Sequence, residues 1–112
     1  MTDPHRPAGP FDGSGQLVID VLGDHSSPVV RCRGELDAAT APFLREALEG
    51  VEATALTLDL GEVSFIDSAG IQVIAAALRR LRPLGGSVTV SSASRPVKRV
   101  FEIAGLNDLI AR

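Results

Sequence analysis

Two short segments of this chain alternate strictly between apolar and polar residues, and they constrain the fold more than anything else in it. Leu56, Leu58 and Leu60 are interleaved with Thr57 and Asp59. Val88 and Val90 are interleaved with Ser87, Thr89 and Ser91. A period of two places one residue set on each face of a β-strand. A parallel sheet covered on both faces would be apolar throughout, so this alternation predicts helices packed on one face and a largely wet opposite face.

Helical spacing fills the intervals. After an N-terminal strand, Gln16 to Leu22, with Leu17, Ile19 and Val21 on one face, comes the turn chemistry of Gly23-Asp24-His25-Ser26-Ser27-Pro28. A second strand, Val29 to Gly34, should pair with the first as an antiparallel hairpin. Leu44, Ala47, Leu48 and Val51 form the stripe of a first helix. Asp37 and Thr40 are both candidate N-caps for it, and Pro42 in the first turn favours Thr40. Ile71, Ile74, Ala75, Leu78 and Leu81 mark a second helix, ended by Pro83 and Gly85-Gly86. Val97, Val100, Phe101 and Ala104 mark a third, with Leu106 to Ile110 as a short closing segment. The order β-β-α-β-α-β-α predicts a two-layer α/β domain: a four- to five-stranded mixed sheet with helices on one face. Residues 1–14 hold Pro4, Pro7, Gly9, Pro10 and Gly13 and read as a flexible tail. Residues 15–112 read as the folded domain.

Composition narrows the function. The net charge of −3 and an aromatic share of 4%, without Trp or Tyr, argue against a nucleic-acid surface. The single cysteine, Cys32, alternates with Val30 on a strand and reads as a buried small hydrophobe. It excludes an internal disulfide and any multi-cysteine metal site. No apolar run is long enough to span a bilayer, and the N-terminus lacks a signal peptide's apolar core, so a cytoplasmic protein is expected.

The chemistry gathers in Phe65-Ile66-Asp67-Ser68-Ala69-Gly70, where a strand hands over to the second helix. Free backbone N–H groups and the positive end of a helix dipole favour an anion there, so the place tolerates a phosphate on Ser68. The strands ending at Gly34 and near Leu60 are joined through a helix and should be parallel. Their following loops, one with Asp37 and Thr40 and one with Asp67 and Ser68, should then be neighbours at one sheet edge. An enzyme reading is poor: Ser68 has no G-x-S-x-G elbow, neither His5 nor His25 belongs to a segment that should approach it, and there is no P-loop lysine. No cofactor pocket is indicated, and Asp37 with Asp67 lacks a third metal ligand. Each singled-out residue also has a structural reading: Ser68, Asp37 or Thr40 as a plain helix cap, Gly70 as a close-packing position, Arg79, Arg80 and Arg82 as a solvated helix end.

Gly34-Glu35-Leu36-Asp37-x-x-Thr40 followed by Phe65-Ile66-Asp67-Ser68-x-Gly70 resembles the anti-sigma-factor antagonists, the bacterial branch of the STAS domain family. Pro96-Val97-Lys98-Arg99-Val100-Phe101 with Gly105-Leu106 is similar to that family's third helix. The resemblance runs from about Gln16 to the C-terminus. It implies a non-enzymatic, transcription-regulating phosphoprotein that switches partners. Unphosphorylated, it would bind an anti-sigma factor that is also a serine kinase and so free a sigma factor. Phosphorylation of Ser68 would turn it off, and a serine phosphatase would reset it. The implied partner-binding residues are Asp37, Thr40, Asp67, Ser68, Ala69 and Gly70. Many members carry Ser or Thr where this chain has Ala69, which leaves Ser68 the sole hydroxyl of that turn and Thr40 a weaker acceptor. The alternative is a constitutive STAS subunit of a lipid-transport complex or stress-signalling scaffold, with no phospho-switch. A monomer is expected, since no helix stripe shows an extra apolar face.

Overall fold

The structure is a computed structural model and describes residues 17–111. The reading of residues 1–14 as a flexible tail, and His5 within it, lies outside the described residues.

Four strands form one mixed sheet in the order β1-β2-β3-β4. β1 (Leu17–Leu22) and β2 (Val29–Leu36) pair antiparallel, and β3 (Ala55–Ile66) and β4 (Ser87–Ala93) continue the sheet in parallel. The crossovers are α1 (Ala41–Glu49) and α2 (Ser68–Leu81), and α3 (Arg95–Ile103) follows β4. After α3 the chain returns to the outer edge of β4, where Ile110 bridges Val90 and the Ala111 N–H donates to the Val90 carbonyl at 2.8 Å. That closing segment takes the place of a fifth strand and covers backbone that would otherwise be an open edge. No helix among the described residues is long and apolar enough to cross a membrane.

One hydrophobic cluster holds the layers together. It joins Leu17, Cys32, Leu58 and Val90 from the four strands to Leu44, Ile74 and Phe101 from the three helices. Each such fully buried side chain contributes about 1.5–3 kcal/mol. The opposite sheet face bears Asp20, Arg31 and Asp59 in cross-strand register, and Arg31 Nε meets Asp59 Oδ2 at 3.2 Å. Exposure of both partners limits that ion pair to a small contribution. Val21 departs from the expected pattern. It lines an open depression with Pro28 and Val51 at the β1–β2 turn and stays half exposed.

The strands are longer than their alternation suggests. β2 runs to Leu36 and β3 to Ile66, beyond Gly34 and Leu60. The two register shifts each place an extra residue in β3, between Asp59 and Glu62 and between Val63 and Phe65, and break its two-residue period there; β2 keeps alternating to Leu36, but Gly34, at φ +117°, supplies no side chain at its place in the pattern. A bulge hides a strand from a periodicity argument without ending it.

Cys32 sits inside this core, and burial pushes its thiol up to about 12, with nearby Asp59 and Asp20 adding to the shift. The native thiol should therefore resist alkylation at pH 8 and react at once in denaturant, measured by mass spectrometry. The unfolded thiol ionises near its ordinary value of 9.0. Folding stability should then fall as pH rises from there toward the folded value, because only the unfolded chain releases the proton over that range.

Candidate functional site

Leu36 and Ile66 are register partners at the C-terminal ends of β2 and β3. The next backbone bond joins the two loops directly: the Asp67 N–H donates to the Leu36 carbonyl at 3.1 Å. Asp37 and Asp67 thus leave neighbouring strands side by side, as the parallel pairing requires.

The Asp37–Thr40 loop is closed on itself. Asp37 Oδ1 accepts from the N–H groups of Ala39 at 3.0 Å and Thr40 at 3.1 Å. Thr40 Oγ1 donates to the Glu35 carbonyl at 2.8 Å and accepts from the Asp37 N–H at 3.0 Å. Thr40 occupies the N-cap position of α1, yet its side chain makes no cap bond there. Its hydroxyl is spent fastening the loop to the end of β2, and Thr40 is the buried polar residue among those described, at 1% exposure. The hydroxyl expected to be a weaker acceptor than Ser68 is thus closed to solvent and already engaged.

The second loop is built differently. Asp67 is extended, at φ −120° and ψ −169°, and its Oδ1 accepts from the Ala69 N–H at 2.9 Å. Asp67 is therefore the N-cap of α2, and Ser68 is the first helical residue instead of the cap. Ser68 is exposed, and its hydroxyl makes no hydrogen bond among the described residues. Ala69 is half-buried and packs against the core. Gly70 is buried: a Cβ there would lie 2.8 Å from Ile66 Cγ1 and 3.1 Å from Leu36 Cβ. The glycine lets α2 start directly on the paired strand ends.

Chemically the site offers one exposed hydroxyl at a helix N-terminus, flanked by two carboxylates that each use an oxygen as a backbone acceptor. No described histidine is near. His25 precedes β2, whereas Ser68 lies past its far end, so the strand separates them by roughly 25 Å. Among the described residues no group of three His, Cys, Asp or Glu gathers in a way that could hold a metal ion. Sequence reasoning missed two features. Phe65, just before the site, is 47% exposed. Arg80 is tied rather than merely solvated: its Nη2 donates to the Leu48 carbonyl at 2.9 Å, fastening α2 to the C-terminal turn of α1.

Comparison with known proteins agrees with this architecture. A family model described as the STAS domain matches residues 17–112. An anti-sigma-B factor antagonist of Listeria monocytogenes is 42% identical over 80 residues, covering 69% of this chain and 70% of that one. One from Bacillus subtilis is 33% identical over 94 residues, covering 82% and 86%. The crystal structure of an anti-sigma factor antagonist from Mycobacterium paratuberculosis superposes with a TM-score of 0.76 at 27% identity, covering 89% of this chain and 87% of that one.

Two substitutions test this construction. Thr40→Val keeps the shape but leaves the Glu35 carbonyl and the Asp37 N–H without their partner, so it should cost about 1–3 kcal/mol in a denaturant titration. Gly70→Ala would gain at most about 1 kcal/mol of helix propensity. The clash with Ile66 and Leu36 should outweigh that gain and leave a net loss of about 1–3 kcal/mol.

Proposed function

This chain belongs to the STAS domain family, and from that premise we propose that it is an anti-sigma-factor antagonist that works by switching partners. With Ser68 unmodified it binds an anti-sigma factor and so releases a sigma factor. The anti-sigma factor is itself a serine kinase. It moves the γ-phosphoryl group of ATP onto Ser68 Oγ: the bond to the ADP leaving group breaks, the O–P bond forms, and the hydroxyl proton is lost. A serine phosphatase removes the phosphate and restores binding. The antagonist acts in the cytoplasm, as a monomer, and catalyses nothing itself.

The observation that carries this reading is the contrast between two hydroxyls beside the paired carboxylates. Thr40 is buried and fully engaged, whereas Ser68 is exposed and unengaged. A kinase could reach only the second. The phosphate would add about two negative charges next to Asp67 and Asp37, changing the surface a partner meets. Asp37, Asp67, Ala69 and Gly70 frame that surface in this reading, while Thr40 holds its shape from beneath. The names of the relatives support the antagonist reading over a constitutive assembly subunit.

Incubation with ATP and the anti-sigma kinases of the same genome should add a single phosphate, mapped to Ser68 by intact-mass and peptide mass spectrometry and absent in Ser68→Ala. In calorimetric titration Ser68→Ala should bind the anti-sigma factor as wild type does. Ser68→Asp should bind about tenfold more weakly or worse, since each 1.4 kcal/mol of charge misfit is a factor of ten. Phosphate on another residue, or full-strength binding by Ser68→Asp, would overturn the switch.

A further inference from the structure

A groove runs between α1 and α2, beginning beside Ser68. Its upper part, a cavity of about 340 Å³ open to solvent, includes Ala38 and Ala69 at the site end and is lined by Ala41, Val73 and Ala76 with Arg45 and Arg79. A second cavity of about 110 Å³ continues it and shares Arg45, Val73 and Ala76. The groove exists because small residues face each other where two helices pack. Alanine side chains cannot fill the seam, and the Arg80 bond to the Leu48 carbonyl fixes the helices across its lower end.

The rim of the upper cavity is cationic in a chain whose net charge is −3. The upper cavity has no carboxylate in its lining. The sole ion pair among the described residues, Arg31 with Asp59, lies on the opposite face of the sheet. Neither Arg45 nor Arg79 forms an ion pair among the described residues; Glu49, one turn beyond Arg45, lines the lower cavity and leaves the upper one to the two arginines. Long guanidinium side chains beside a half-buried apolar strip suit a peptide carrying carboxylates and small aliphatic side chains.

We propose that this groove docks an acidic, aliphatic segment of the anti-sigma partner, whose carboxylates pair with Arg45 and Arg79 while a small side chain enters over Ala76. The proposal rests on the antagonist reading above and extends the contact about three turns down α2 from Ser68. Rim charges of this kind act mainly on the rate of association and its salt dependence. The groove therefore steers and registers the partner, and the Ser68 end controls whether the contact is completed.

The test is stopped-flow and calorimetric binding of the anti-sigma kinases of the same genome to the full chain, at two salt concentrations. The variants are Arg45→Glu with Arg79→Glu, Arg45→Gln with Arg79→Gln, Ser68→Asp, and Arg33→Glu on the open sheet face as a charge control. Both groove variants should melt as wild type does, since Arg45 and Arg79 are exposed. The charge-reversed pair should associate at least tenfold more slowly, the neutral pair should show a flatter salt dependence, and Arg33→Glu should bind as wild type. Wild-type binding by the charge-reversed pair, with Ser68→Asp still weakened, would overturn the groove and leave the antagonist reading standing. Equal weakening by Arg33→Glu would reduce the effect to net charge and overturn the groove too. A wild-type chain that binds no anti-sigma factor would overturn both.

Discussion

The parallel pairing of β2 with β3 is carried to the last residue of each strand, and the site depends on that. Leu36 faces Ile66, and the Asp67 N–H closes on the Leu36 carbonyl. Had β3 ended at Leu60, Asp67 would hang seven residues beyond the sheet on a loop with its own conformational entropy, about 1–2 kcal/mol per ordered residue. The ladder orders that stretch instead, at the cost of two bulges. It sets Asp37 and Asp67 side by side, and it sets the strand ends on which Gly70 seats the first turn of α2.

Both aspartates then serve two ends with one group. Each needs an oxygen on its own backbone to close its loop, a contribution of about 1 kcal/mol for such a cap. Each is also only partly buried, at the sheet edge from which Ser68 begins α2. Replacing either aspartate would therefore alter fold and electrostatics together, whereas Ser68 is exposed and its hydroxyl holds no other described residue, so it can change without breaking a bond of the frame. Thr40 stands at the other extreme: its hydroxyl holds the first loop to β2 and is closed to solvent.

Much of this was legible in the sequence. Regular alternation in Leu56–Leu60 and Val88–Val90 fixed the one-sided sheet, and helix-period stripes placed all three helices. The chain order alone brought the two loops to one edge. What escaped did so for identifiable reasons. The register shifts broke the period of β3, and Gly34 left one inward place of β2 without a side chain, so both strands looked short. A threonine before Pro42 reads as a cap because its tertiary acceptor, the Glu35 carbonyl, has no side-chain signature. Asp67 and Ser68 both cap helices well, and only the extended backbone of Asp67 decides between them. The bond from Arg80 to the Leu48 carbonyl spans 32 residues and leaves no local pattern.

Magnitudes indicate where a phosphate on Ser68 would act under the proposed function. At the first residue of α2 it would gain roughly 0.3–1 kcal/mol from the helix dipole. Repulsion from Asp67 and Asp37, across exposed and screened positions, is of similar size and opposite sign. The two nearly cancel, and no hydrogen bond among the described residues has to break. Folding stability should hardly register the modification. A partner surface pressed against the site, with water excluded, would meet the same charges in a lower dielectric, where each is worth several times more. The ladder, the caps and the close packing at Gly70 tie this edge of the fold together. The free energy of the phosphate is therefore not absorbed by rearranging the domain and falls on the interface instead.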